Sequence, residues 1–252
     1  DLAASTVDVW LNNTLLIDNF EYRTASPFID APSGTEFTIS IQPANSESAE
    51  NALWSQNYTL EADETYVLVA NGIVSPSGYD PVEPFDIYVY PMGREMATNS
   101  NKTDVLVFHG ATDAPTVDII ETTSGGIQFI DNLAYGSFAG YLELPTLDYV
   151  LDIKDESGAI LVESYSVPLA TLELEGAALV TVASGFLSPG DNSNGEAFGL
   201  WVALPTGGEL IELPVYNPTA ARVQVIHNSA DLAAEVVDVW LDNTLLLDNF
   251  EY

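Results

Sequence analysis

Phe37-Thr38-Ile39-Ser40-Ile41-Gln42 places an apolar side chain at every second position and a polar one between. This is the period of a strand with one face turned to a core. Tyr149-Val150-Leu151-Asp152-Ile153-Lys154 repeats it, and the turn-forming run Asp155-Glu156-Ser157-Gly158 follows. Working outward, further strands are expected over residues 7–11, 66–70, 85–90, 105–109, 117–121, 177–183, 200–204 and 209–213. These runs are filled by β-branched and aromatic residues and separated by Gly, Pro, Asn, Asp and Ser. No segment holds a helical period. Short strands in units of about 115 residues read as an all-β protein of tandem, immunoglobulin-like β-sandwich domains.

The unit length comes from two repeats. Residues 1–22, DLAASTVDVWLNNTLLIDNFEY, return at 231–252 as DLAAEVVDVWLDNTLLLDNFEY; four positions differ (Ser5/Glu235, Thr6/Val236, Asn12/Asp242, Ile17/Leu247), leaving 18 identical at an offset of 230. Such a return marks a repeat protein. Inside it, Ala70-Asn71-Gly72-Ile73-Val74-Ser75-Pro76 matches Ala183-Ser184-Gly185-Phe186-Leu187-Ser188-Pro189 at an offset of 113, and Val105-Leu106-Val107-Phe108-His109 matches Val223-Gln224-Val225-Ile226-His227 at 118. The chain therefore divides into domain A (residues 1–94), domain B (104–215) and the first strands of a further A-type domain (221–252). The linkers at 95–103 and 216–220 are short, which suggests a semi-rigid rod.

Domain B opens with the strand ending at His109, and the last A-type domain with the one ending at His227. The matching strand of the first domain A would fall before residue 1. Two arrangements give it one. The sequence is an excerpt of a longer continuous array, or separate subunits polymerise and Arg222, Val223, Val225 and His227 of one complete domain A of the next by donor-strand complementation. Residues 231–252 favour the excerpt, because a donor needs only the missing strand.

Composition narrows the function classes. Thirty-eight acidic residues face five basic ones, Arg23, Arg94, Lys102, Lys154 and Arg222, for a net charge of −33. That charge repels phosphate backbones and disfavours nucleic-acid binding and docking on anionic lipid. It suits solubility or a saline surrounding, where the screening length falls to about 3 Å at 1 M, better than specific gathering of cations. No apolar run reaches the roughly 18 residues of a membrane span, so no membrane insertion is expected. Cysteine is absent, which removes disulfides and thiolate metal sites. Any targeting peptide is expected outside this sequence.

The phrase Val107-Phe-His-Gly-Ala-Thr-Asp-Ala-Pro-Thr-Val-Asp-Ile119 resembles the opening signature of the bacterial "domain of unknown function 4397" family. Val225-Ile-His-Asn-Ser-Ala-Asp231 with Val237-Asp238-Val239 resembles a looser copy, and Phe129-Ile130-Asp131-Asn132-Leu133-Ala134-Tyr135-Gly136 and Leu144-Pro145 fit as well. The resemblance covers most of B. In A it runs from Val7-Asp8-Val9 onward, with a longer opening loop that lacks the Asp-Ala-Pro triplet. It implies a secreted or surface-anchored β-sandwich, often in tandem, with no established catalytic activity.

Four groups of residues invite a functional reading. Alternation sets Val223, Val225 and His227 on one face, with His227 at the lip of the sandwich within reach of Asp231 or Asp238; the equivalents in B are His109, Asp113 and Asp118. A His–Asp dyad needs a nucleophile, and no nucleophile-elbow motif supplies one; a histidine that pins a loop is the favoured reading. One histidine per domain makes a multi-histidine metal site improbable. Asp191, Asn194 and Glu196 cluster oxygen ligands around Gly195, and residues 77–83 form the equivalent loop of A. This is a calcium candidate without the helix-loop-helix spacing, weaker than an ordinary polar loop. Trp10 and its equivalent Trp240 lie on the face of Asp8 rather than of Val7, Val9 and Leu11, and suit a domain interface better than a sugar platform. Asn12, Asn57 and Asn101 begin N-x-T triplets.

The sequence is thus expected to be a structural repeat unit of an extracellular or cell-surface filament or stalk. Its partners would be neighbouring copies of itself, with no required cofactor and no enzymatic activity. The rival expectation is an adhesin or carbohydrate-binding arm that uses its loops or Trp10.

Overall fold

The computed structural model describes residues 5–218, 225–228, 231–241 and 243–251. Domain A contributes β1 (Thr6–Leu11), β2 (Thr14–Glu21), β3 (Thr24–Ala25), β4 (Phe37–Pro43), β5 (Trp54–Tyr58), β6 (Tyr66–Asn71) and β7 (Asp86–Pro91). Domain B contributes β8 (Lys102–His109), β9 (Val117–Glu121), β10 (Ile127–Leu133), β11 (Phe138–Pro145), β12 (Asp148–Asp155), β13 (Leu161–Pro168), β14 (Ala178–Ser184), β15 (Gly199–Ala203), β16 (Gly208–Glu209) and β17 (Ile211–Glu212). A hairpin of β18 (Val236–Leu241) and β19 (Thr244–Glu251) follows. The fold is all-β, and the helical turns among the described residues are short 3₁₀ ones. Residues 1–216 make one compact unit and residues 217–252 a second.

Domain B is a two-sheet sandwich. One sheet runs β10-β9-β12-β13, the other β11-β8-β14-β15-β17. Val117, Ile119, Ile130, Tyr149, Ile153, Tyr165 and Val167 of the first meet Val105, Val107, Leu179, Leu200 and Val202 of the second in one buried cluster. At about 1.5–3 kcal/mol for each large side chain buried, this cluster is the main source of stability. β8 and β14 pair in parallel and the other ladders are antiparallel.

Domain A has the matching sheet, β2-β1-β4-β5, over a smaller core of Val7, Phe37, Ile39, Ile41 and Ile87. Among the described residues its opposing sheet is the pair β6-β7. The outer face of β1 and β4 is not solvated as the alternation suggests: Asp8, Trp10, Ser40 and Gln42 are all buried. The segment after β4 folds back over them, with Ser46 on Asp8 and Trp10, and the Glu50 carbonyl on the Gln42 amide.

One device recurs three times. The Asp of each Val-Asp-Val/Ile strand accepts a hydrogen bond from the backbone N–H of an Asn on the next strand: Asp8 from Asn19 (2.8 Å), Asp118 from Asn132 (2.8 Å) and Asp238 from Asn249 (2.9 Å). Each Asn holds a positive φ of 50–51°, tolerable for Asn, where the hairpin ladder shifts register. The carboxylate stabilises a bulge that alternation alone cannot accommodate. Burial alone would raise the Asp8 carboxyl, but the Ser46 hydroxyl and the Asn19 and Ser46 amides outweigh it and hold Asp8 below the usual carboxylate range. A group so depressed stabilises the fold fully above its unfolded-chain value, about 3.9, and less as the pH falls through the folded value. Asp8→Asn is expected to cost about 2 kcal/mol at pH 7, the scale of a hydrogen bond to a charged group. Denaturant titrations should show that penalty shrinking below about pH 4, and a penalty unchanged at pH 3 would contradict an ionised Asp8.

Candidate functional site

His109, Asp113 and Asp118 of the 107–119 phrase are engaged with backbone. His109, at the buried end of β8, donates from Nε2–H to the Pro115 carbonyl at 2.9 Å, which fixes that tautomer because a carbonyl only accepts. Burial pushes its imidazole below the ordinary value, against the Pro115 hydrogen bond. The expected partners act elsewhere. Asp113 accepts from the Leu187 and Ser188 amides at 2.9 and 2.8 Å, and Asp118 caps the Asn132 bulge. No His–Asp dyad forms in domain B; the histidine ties the strand end to the following loop. Of the expected interface strand, Arg222 and Val223 lie outside the described residues, while Val225 and His227 are partly buried.

The oxygen-rich loops are brought together, but for packing. Residues 72–85 of A and 185–198 of B each leave the sheet through a glycine, Gly72 (φ 102°) and Gly185 (φ 92°). A Cβ at either would overlap the Pro84 or Ala197 carbonyl oxygen, which explains the glycine in the repeated Ala-Asn/Ser-Gly phrase. The two loops then dock on each other. Tyr79 stacks on Phe186 with centroids 5.7 Å apart, buried Asn192 accepts from the Asp80 amide at 3.0 Å, and Ser193 donates to the Gly78 carbonyl at 2.7 Å. Among the described residues no three His, Asp or Glu side chains converge on a metal-sized centre. Of the calcium candidates, Glu196 instead faces Arg23 at 3.8 Å. Asp191 ends a short 3₁₀ turn, and Asn194 takes up a positive φ of 53°.

Trp10 is also spent locally. It is 8% exposed and donates to Ser46 at 2.8 Å, so it offers neither a sugar platform nor a face to domain B. Trp240, in a hairpin without a neighbouring β4, is 57% exposed.

The built site is the seam between A and B, assembled from residues the alternation reading left unassigned. Tyr88 and Tyr90, on the face of β7 away from the A core, meet Phe108, Tyr135, Phe138 and Tyr141 with centroids 5.2–6.2 Å apart. Two of the five basic residues fasten its ends. Arg23 lies over the Trp201 ring at 4.0 Å and donates to the Ala197 carbonyl at 3.0 Å, while Tyr22 hydrogen-bonds Ser184 at 2.7 Å. β3 pairs with β16 beside them. Arg94 bonds Asp104 at 2.6 Å and Glu143 at 3.1 Å, and lies over Tyr141 at 4.5 Å. Burial works against the Arg94 charge, but the two carboxylates outweigh it and raise the guanidinium above its ordinary value. The signal for this seam is in the sequence: Val105-Leu106-Val107-Phe108 is apolar without a break, the mark of a strand covered on both faces.

Among known proteins, the family model described as "Domain of unknown function (DUF4397)" matches residues 2–120, which is domain A together with β8 and β9. No curated protein matches the chain.

Proposed function

We propose that this chain, which over residues 2–120 belongs to the DUF4397 family, is a structural repeat unit of an extracellular or cell-surface filament or stalk. The observation that carries the reading is the seam: two of five cations and a bank of aromatic rings lock A to B. A protein with −33 net charge concentrates its scarce positive charge where one domain must not swing against the next, as a load-transmitting rod requires. Burying aromatic surface between domains makes the link stiffer than a flexible tether. The remaining acidic coat keeps neighbouring rods apart in dilute salt and lets them approach in brine.

The unit is read as non-catalytic and in need of no cofactor. The engagement of His109, Asp113 and Asp118 with backbone supports this. The adhesin alternative relied on the loops or on Trp10, and the burial of Trp10 weakens the second of these. Electron microscopy of native material is expected to show thin unbranched fibres with a double-bead repeat from alternating A and B. Native material consisting only of dispersed monomers would sink the proposal.

A further inference from the structure

We propose that the open edge of β5 is a contact surface for a second copy of this chain, the two β5 strands pairing antiparallel about a two-fold axis at Gln56. The inference deepens the reading of the chain as a self-associating structural unit, rests on it, and names a lateral contact.

Domain B shows that this edge accepts a strand. Ile41 and Ile153 hold the same place in the two domains, each facing the residue after a Val-Asp pair, Val9 or Ile119. Two residues back, Ile39 faces Gln56 and Leu151 faces Tyr165, so β5 and β13 are equivalent edges. In B the edge is closed by the end of the domain. Val215 bridges Tyr165 antiparallel, the Ser166 amide donates to the Pro214 carbonyl at 2.9 Å, and the Tyr216 amide donates to the Ser164 carbonyl at 2.7 Å. Tyr165 is 2% exposed there. In A the chain after β7 runs through the connector into β8 instead, and among the described residues β5 pairs with β4 alone. Ser55, Gln56 and Asn57 are exposed, although Gln56 alternates with Trp54 and Tyr58, which pack on the A core. An edge left so is a template for strand addition.

Charge identifies the occupant. Residues 51–60 carry no charged side chain. Among the described residues, every other strand that ends one of the three larger sheets holds a carboxylate: Asp18 on β2, Asp131 on β10, Glu163 on β13, Glu143 on β11 and Glu212 on β17. Charges on edge strands keep chains from pairing edge to edge, and β5 lacks that guard. Two chains of −33 net charge can therefore meet at β5 with no carboxylate in the paired stretch. Identical strands paired antiparallel are self-complementary, as a two-fold contact requires. About Gln56, each Trp54 lies opposite the partner's Tyr58 and each Ser55 opposite the partner's Asn57, and aromatic cross-strand pairs stabilise a sheet. Glu50 and Glu61 flank the stretch, so salt should strengthen the contact.

The chain has no cysteine, so Gln56→Cys reports the contact. Directly paired strands bring Cα atoms within the roughly 4.4–6.8 Å that a disulfide spans. Oxidised in about 1 M salt, where charge repulsion is screened within about 3 Å, the Gln56→Cys chain should link into dimers at least about tenfold faster than a Gln128→Cys chain, whose cysteine sits on the acidic edge strand β10. In sedimentation of cysteine-free chains, Gln56→Lys sets like charges opposite each other and should weaken dimerisation about fivefold, although it lowers the overall repulsion. Equal linkage through Gln128→Cys, or dimerisation unchanged or strengthened by Gln56→Lys, would overturn the β5 contact. Gln56→Cys chains that ignore one another but link to an unrelated uncharged, strand-forming peptide bearing a cysteine would overturn the second copy as occupant. Fibrous native material without β5 linkage would overturn the contact and leave the filament reading standing. Linked β5 dimers with native material that forms no fibres would overturn the filament reading alone, and failure of both would overturn both proposals.

Discussion

Phe108→Ala is expected to cost about 3–5 kcal/mol, the range for deleting a fully buried phenylalanine, and to uncouple A from B. The ring is 0% exposed and lies 4.7 Å from Phe138 and 5.2 Å from Tyr88, centroid to centroid. Its loss therefore opens a void at the seam rather than inside the sandwich, since the core of B is filled from the other face of β8 by Val105 and Val107. For a unit of this size each kcal/mol moves the midpoint by about 2–4 °C, so a fall of roughly 10 °C is expected. The shape of the transition is the sharper readout. Calorimetry of the parent chain should melt A and B together, and Phe108→Ala should separate them, with the smaller core of A melting first. Leu179→Ala is the control: a buried B residue away from the seam, it should lower the B transition without splitting it from A. An unsplit Phe108→Ala transition would mean that the ring does not couple the domains.

That seam marks where the sequence could be read and where it could not. Alternation located β1, β4, β6, β7, β8, β9, β12, β14 and β15 to within a few residues, because each puts apolar side chains on a core face at period two. It missed β2 and β10, where Asp18-Asn19 and Asp131-Asn132 break the pattern at a bulge whose stabilising aspartate lies 11–14 residues away. It missed β11, whose Gly140 sits at a register shift with φ 80°, and β5, an edge strand with Ser55-Gln56-Asn57 along its middle. The expected strand at 209–213 is divided between β16, which pairs with domain A, and β17, which stays with B. The seam has a different reason for being hidden. Tyr88 and Tyr90 carry a hydroxyl and alternate with Ile87 and Val89, so they pass for the solvated side of a strand. Only the unbroken apolar run of β8 shows that its second face must be covered, and no local pattern says by what. Trp10 misleads in the same way, since the segment that buries it begins only after β4 and reaches back through Ser46.

The other large effect is expected at Arg94. Asp104 has no exposed side-chain surface, and its Oδ2 accepts from Arg94 at 2.6 Å and from the Thr98 amide and hydroxyl at 2.8 and 3.1 Å. Arg94→Met keeps much of the stem but removes the guanidinium, which lies over Tyr141 and whose charge compensates Asp104. Breaking a buried pair from one side costs about 3–5 kcal/mol because the other charge is left stranded. The Arg94 side chain is 27% exposed, so about 3 kcal/mol, the lower end of that range, is expected. Adding Asp104→Asn removes the stranded charge while keeping an acceptor for Thr98, and the double variant should recover most of the loss. A cycle of the two single variants and the double one, read by denaturant melts, gives a coupling of about 2 kcal/mol if the pair acts as described; no recovery would assign the cost to the lost stem packing. The consequence for the stiffness of the A–B link is separable from the stability cost. Arg94, with its amide accepted by the Tyr141 hydroxyl at 2.9 Å, clamps the connector at 95–103 to β8 and β11 through Asp104, Thr98 and Glu143. Small-angle scattering of Arg94→Met in conditions where both domains remain folded should show a broader spread of A–B separations than the parent chain, whereas the compensated double variant recovers stability without recovering stiffness. A double variant as stiff as the parent would move the hinge control from the ion pair to the aromatic seam alone.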